Sequence, residues 1–299
     1  MLTAALYDLL EDDEKTEFID KMNSLGLPGV CVSAQESSKC GICGTHITVS
    51  VAGIVEGEDH HDHDHHNHDH HHDHAHSGMH EINHIISAMP VSDNVKKNAL
   101  GIYNIIAEAE SRVHGVSVEL VHFHEVGAMD AIADVTAVCI LIEMLGFNRI
   151  CATPVCTGFG KVSCAHGILP VPAPATADIL TGIPCFAGNI EGEMCTPTGA
   201  AIVKFFVDDF SGMPEMTVSK IGYGMGSRDF EAANCIRAFL GTSGGGNEDI
   251  VELSCNLDDM TPEAIGFATQ KLMDEGAADV YTIPIGMKKC RPGVMICVM

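Results

Sequence analysis

His122-Phe-His-Glu-Val-Gly-Ala-Met-Asp-Ala-Ile-Ala-Asp134 decides how this chain is read, because five metal-binding or proton-transfer side chains fall within thirteen residues at a strand-to-helix junction. Upstream, Val118 to His124 reads as a strand, so His122 and His124, two apart, point to one face. Downstream, Met129 to Leu145 is an apolar run without Pro or Gly, broken by Gly146, which predicts a long helix. Asp130 and Asp134 stand four apart and share one side of that helix. With Val126-Gly127 as the turn and Glu125 at the bend, two imidazoles and two carboxylates can converge. A histidine beside a strand is commonly structural, and an aspartate at a helix start is commonly a cap. Asp134 argues for more, since an unpaired charge in an apolar helix is costly.

The rest of the composition suits a metal handler. At 299 residues with 46% hydrophobic content, the chain has room for one large domain or two ordinary ones. A net charge of −25 with only 16 Lys and Arg spread along the sequence argues against nucleic-acid binding, which needs clustered cations. The same field favours a cationic ligand. There is no basic, apolar leader, and the most apolar helix carries Asp130, Asp134 and Glu143, so neither secretion nor membrane insertion is expected and the cytoplasm is the default. The 13 cysteines are then expected to be reduced thiols. Oligomeric state is not readable.

Before the central stretch, Met1 to Leu10 and Glu14 to Leu25 read as helices, the second closed by Gly26. After a Cys-containing loop, His46 to Val51 alternates as a strand. Cys40-Gly-Ile-Cys43 lacks a matching second pair and reads as a turn with two thiols. Glu58 to His76 holds eleven of the 18 histidines, interleaved with Asp: His60, His61, His63, His65, His66, His68, His70, His71, His72, His74 and His76. With almost no apolar residue, this tract at 58–78 is expected to be a disordered insertion. Its imidazoles suit nickel, zinc or copper without selecting among them. A short helix from His80 to Met89 follows. Ser92 then caps a helix whose stripe Val95, Ala99, Ile102, Ile106 and Ala109 reads as packing.

Beyond the central stretch the punctuation is dense. Ala165-His-Gly-Ile-Leu-Pro-Val-Pro-Ala-Pro-Ala-Thr176 holds an extended chain before a helix from Ala175 to Leu180. Thr196-Pro-Thr-Gly-Ala-Ala201 reads as a loop-to-helix entry whose free N–H groups, at Thr196, Thr198 and Gly199, can hold an anion. With His166 these segments read as the walls of a site. Ile221-Gly-Tyr-Gly-Met-Gly-Ser-Arg-Asp229 resembles a phosphate loop only superficially, because the Gly-Lys-Ser/Thr context is missing. The segment 241–248 reads as a linker between an N-terminal metal and substrate domain at 1–240 and a β-α-β unit at 249–299. In that unit Asp258 and Asp259 precede a helix, and Lys288-Lys-Cys-Arg291 is the one compact basic cluster, suited to phosphate. The expected fold class is α+β or α/β.

Five motifs in order, His122-Phe-His-Glu-Val-Gly-Ala-Met-Asp130, Ala165 to Thr176, Thr196 to Ala201, Asn256-Leu-Asp-Asp-Met-Thr-Pro-Glu263 and Met287-Lys-Lys-Cys-Arg-Pro-Gly293, resemble the LarC family of nickel insertion proteins. The resemblance implies insertion of nickel into pyridinium-3,5-bisthiocarboxylic acid mononucleotide, with CTP and Mn2+ or Mg2+, for lactate racemase-type enzymes. It also implies an incomplete ferredoxin-like C-terminal domain that binds nucleotide, and a strand and glycine turn ahead of Met1. On this reading His122 and His124 deliver nickel, Glu125 or Asp130 is base or ligand, His166 joins them, and Asp134 orients an imidazole. Thr196, Thr198 and Gly199 bind phosphate, and Asp258, Asp259, Lys288, Lys289 and Arg291 hold the metal–triphosphate end. A nickel donor and an apo-racemase acceptor are the implied partners. Two other functions fit the residues: nickel storage through the His tract, and a metal-dependent hydrolase built on His122, His124 and Asp130.

Overall fold

Eight helices form among the described residues: α1 (Leu2–Tyr7), α2 (Asp12–Asn23), α3 (Met79–Ala88), α4 (Asp93–His114), α5 (Met129–Leu145), α6 (Pro174–Ile179), α7 (Pro197–Phe206) and α8 (Pro262–Asp274). The computed structural model describes residues 1–55, 77–123, 127–164, 167–243 and 251–299. These divide into two units, Met1–Thr242 and Ser243–Met299, in a mixed α+β protein.

The first unit is built around α5. Its run from Ile132 to Leu141 is buried on nearly every side apart from Asp134, as expected of a helix that is apolar all round. Gly146 ends it in the left-handed conformation at φ 61°, which a glycine adopts without steric cost. Alongside lies α4, where Ser92 accepts a hydrogen bond from the Val95 N–H at 3.1 Å and Gly115 closes the helix at φ 65°. Its expected stripe of Val95, Ala99, Ile102, Ile106 and Ala109 is buried, with Tyr103 beside it.

A five-stranded sheet, in the order Val30–Lys39, Ile42–Val51, Thr217–Met225, Cys235–Thr242 with Ile54–Val55 on the edge of the second strand, lies against α1 and α5. The Cys-containing loop of the sequence reading is thus a strand at Val30–Lys39. Its polar sequence is held by the full antiparallel ladder to Ile42–Val51, so pairing overrides its modest strand propensity. The two are joined through Cys40 and Gly41, at φ 51° and 80°, a two-residue turn that holds one of the two thiols expected there, while Cys43 lies in the second strand opposite Ser38. Gly222 and Gly224 let α1 approach the sheet: a Cβ at these positions would lie 2.1 Å from the Ala5 carbonyl oxygen and 2.0 Å from that of Met1. The glycine spacing is therefore a packing device. Gly241 and Thr242 belong to the last strand and pair with Val218 and Thr217, so the linker expected at 241–248 begins too early.

The second unit contains strands Leu253–Leu257, Arg291–Val298 and Val280–Met287 in that spatial order, the outer two antiparallel to the middle one. The outer strands are therefore parallel to each other, joined through α8 with the third inserted between, the arrangement of a split β-α-β unit. Thr261 caps α8 by accepting from the Ala264 N–H at 3.3 Å, with Pro262 at the first helical position.

Candidate functional site

The strand predicted from Val118 to His124 is mostly absent. Val118–Leu120 is a 3-10 turn, closed by the Leu120 N–H on the Ser117 carbonyl at 2.9 Å, and among the described residues of this stretch the strand is His122–Phe123. Its partner is the two-residue strand Ser77–Gly78, with Gly78 opposite His122 and Ser77 opposite Phe123. Without a longer neighbour, the alternating residues before His122 have no ladder to join and close locally.

Asp130 and Asp134 stand on consecutive turns at the start of α5, as the spacing required. Ala128 offers no side-chain cap, and Asp130 accepts from the Ala131 N–H at 2.8 Å, so one of its oxygens is spent on the helix start. Asp134 keeps exposed surface, so the cost expected for a charge buried in this helix is partly relieved by water. It is still ringed closely enough that burial raises its carboxyl pKa; the Met1 amino group opposes that shift and Asp130 adds to it. Close enough to feel both charges is the buried Tyr103 of α4, which the reading of that helix as packing passed over. Its phenol is held well above its usual pKa, first by burial and then by the charges of Asp130 and Asp134. A polar aromatic inside an apolar stripe was the available signal.

Among the described residues, no three or more His, Cys, Asp or Glu converge as a metal site. His124, Glu125 and His166, and the histidines from His60 to His76, lie outside the described residues, and of His122 the backbone is described.

At α7, Thr196 accepts from the Gly199 N–H at 3.2 Å. Pro197 has no N–H, so Thr198 keeps the one free donor of this first turn, and the anion site expected from Thr196, Thr198 and Gly199 is thinner than the sequence implied. Nearby, Cys195 is buried, and that burial pushes its thiol up to about 12, with Glu193, Cys156 and Cys185 adding to the shift. A thiol so held is protonated and a poor nickel ligand at neutral pH.

In the second unit, Leu257 pairs with Val294, so Asp258 and Asp259 leave the sheet at the same end where Lys288 and Lys289 turn the chain into Arg291. All five are exposed, and among the described residues none is in an ion pair. Lys289 sits at φ 63°, an uncommon conformation for a residue with a side chain. Hard carboxylate oxygens beside a guanidinium and two ammonium groups form a donor set that fits a divalent ion carrying a triphosphate.

No helix among the described residues is long and apolar enough to cross a membrane. No solved structure matches the chain. The model of the nickel insertion protein family matches residues 1–299. Among curated proteins, the pyridinium-3,5-bisthiocarboxylic acid mononucleotide nickel insertion protein of Staphylococcus saprophyticus is 42% identical over 300 residues, covering 100% of this chain and 71% of its own. Proteins of the same description are 39% identical in Geobacillus kaustophilus, covering 100% and 73%, and 38% identical in Staphylococcus epidermidis, covering 99% and 70%. With a family match along its whole length and relatives this similar, the chain belongs to the nickel insertion protein family, and nickel is the metal its family handles.

Proposed function

We propose that this chain inserts nickel into pyridinium-3,5-bisthiocarboxylic acid mononucleotide, as a CTP-dependent lyase that forms the nickel-pincer nucleotide of lactate racemase-type enzymes. The family match over all 299 residues carries this reading. One placement supports it: the chain leaving the tract at His76 is, one residue later, paired beside the strand that holds His122. Capture by the tract and placement by the motif would then be neighbours along a covalent tether.

Insertion requires that nickel be held by exchangeable ligands, and His122 and His124 are suited to that because neutral imidazole binds nickel without closing the site. Nickel bonds to the ring carbon as the ring C–H proton leaves, so a carboxylate must accept that proton; Glu125 and Asp130 are the candidates, with His166 as a further acid–base group. Asp134 orients an imidazole. Thr198 and its neighbours Thr196 and Gly199 meet the substrate phosphate through the one donor left at α7. Asp258 and Asp259 would hold Mn2+ or Mg2+, and Lys288, Lys289 and Arg291 the CTP phosphates, whose anhydride supplies the driving chemistry when bound. A nickel donor and an apo-racemase acceptor remain the expected partners, in the cytoplasm.

The competing function is nickel storage through the tract. Deleting residues 59–76 separates the two. Insertion with saturating nickel is expected to stay within about twofold of the full chain and to fall on the order of tenfold when nickel is scarce. Complete loss with nickel in excess would overturn the enzyme reading in favour of storage.

A further inference from the structure

We propose that His80 and His84 on α3 form a two-imidazole site for a divalent transition ion, with Ni2+ as its occupant. The choice of nickel rests on the insertion reading above; the binding of a borderline ion does not. Helix α3 turns an apolar stripe inward, with Ile82 and Ile86 buried, while His80, Asn83, His84 and Ser87 are exposed. Residues four apart on a helix are neighbours, with Cβ atoms about 5–6 Å apart, so a single ion can take one ring nitrogen from each. Among the described residues neither ring is hydrogen-bonded or ion-paired, so nothing has to be displaced.

One exposed histidine is ordinary, but a pair at this spacing beside a metal tract is not. The tract ends at His76, the strand Ser77–Gly78 follows, and α3 begins at the next residue. Gly78 lies opposite His122, which puts the backbone of His80 within about 13 Å of that of His122. Because α3 is a ten-residue helix packed on α4, the two rings are placed before the ion arrives, and the second contact costs little further ordering. His80 stands in the first turn, where the helix dipole opposes a cation, and the carboxylate of Glu81 beside it offsets that. Imidazole selects transition ions over hard ones. Two protein ligands leave the remaining positions to water, so the ion stays exchangeable, in keeping with the lack of a three-ligand cluster among the described residues.

The test is labelling of the full chain with diethyl pyrocarbonate, which acylates the unprotonated ring nitrogen that a metal would take, read at each histidine by peptide mass while Ni2+ is titrated. His80 and His84 are expected to become protected together, over one range of nickel. Either His80→Gln or His84→Gln is expected to raise the nickel needed to protect the remaining ring on the order of 10²-fold, because the second contact of a chelate is intramolecular. Both side chains are exposed, so each variant is expected to keep the fold, checked by circular dichroism. Mg2+, which takes oxygen ligands, should protect neither ring. Rings that label as fast in saturating Ni2+ as without it, protection that survives loss of the other histidine, or equal protection by Mg2+ would overturn the proposal. The readout is binding alone, so a chain that protects both rings yet inserts no nickel refutes the insertion reading and leaves the site standing.

Discussion

Asp130→Asn is expected to reduce nickel insertion by about 10²–10⁴-fold while leaving the fold in place, the range over which a positioned proton acceptor contributes to a rate. Asparagine keeps an oxygen that can accept from the Ala131 N–H, so the start of α5 retains the bond that Asp130 makes there. What is lost is the negative charge and the basic oxygen. The loss of charge at a helix N-terminus costs about 0.5 kcal/mol, too little to unfold a chain whose α5 is buried on nearly every side. Insertion measured beside circular dichroism distinguishes the two effects. A variant that folds and still inserts at the original rate would remove Asp130 from the chemistry and leave Glu125 as the candidate base.

A large effect on stability is expected at Gly222. An alanine there would bring its Cβ to 2.1 Å from the Ala5 carbonyl oxygen and 3.2 Å from the Leu9 side chain, and a backbone atom of a packed helix cannot yield as a flexible side chain can. Helix α1 must then lift from the sheet, exposing Leu6, Leu9 and Leu10, which are buried. Overpacking costs typically 1–3 kcal/mol and backbone displacement adds to it, so Gly222→Ala is expected to destabilise the first unit by about 3 kcal/mol or more. Gly266→Ala is the control. It lies inside α8 with nothing within 4 Å of the added Cβ, and the alanine should be neutral or stabilising by up to about 1 kcal/mol. Equal urea midpoints for the two variants would contradict the role given to Gly222.

The contrast between those glycines shows what could be read in advance. A period of 3.6 between a good cap and a stop residue is a local signal, so α4 between Ser92 and Gly115, and α5 up to Gly146, were legible from sequence. Pairing is not local. Val30–Lys39 looks like a polar loop until Ile42–Val51 lies beside it, and Val118 to Val121 looks like a strand until its partner turns out to be two residues long. Gly222 and Gly224 resemble a ligand loop because close approach of a helix and close approach of a phosphate both demand the missing Cβ. In the candidate site, spacing was informative for Asp130 and Asp134, which stand on consecutive turns of α5 as their separation of four required. Tyr103 escaped notice because it is twenty residues from Phe123 in sequence and belongs to a helix whose pattern is otherwise pure core.

Nickel insertion by this chain is decided by incubating it in full length with pyridinium-3,5-bisthiocarboxylic acid mononucleotide, Ni2+, CTP and Mn2+, and following the nucleotide by mass. The expected product is heavier by one nickel less the displaced protons, formed only when CTP is present and lost with His122→Ala. A precursor whose mass is unchanged, while the protein retains its bound nickel, would contradict it.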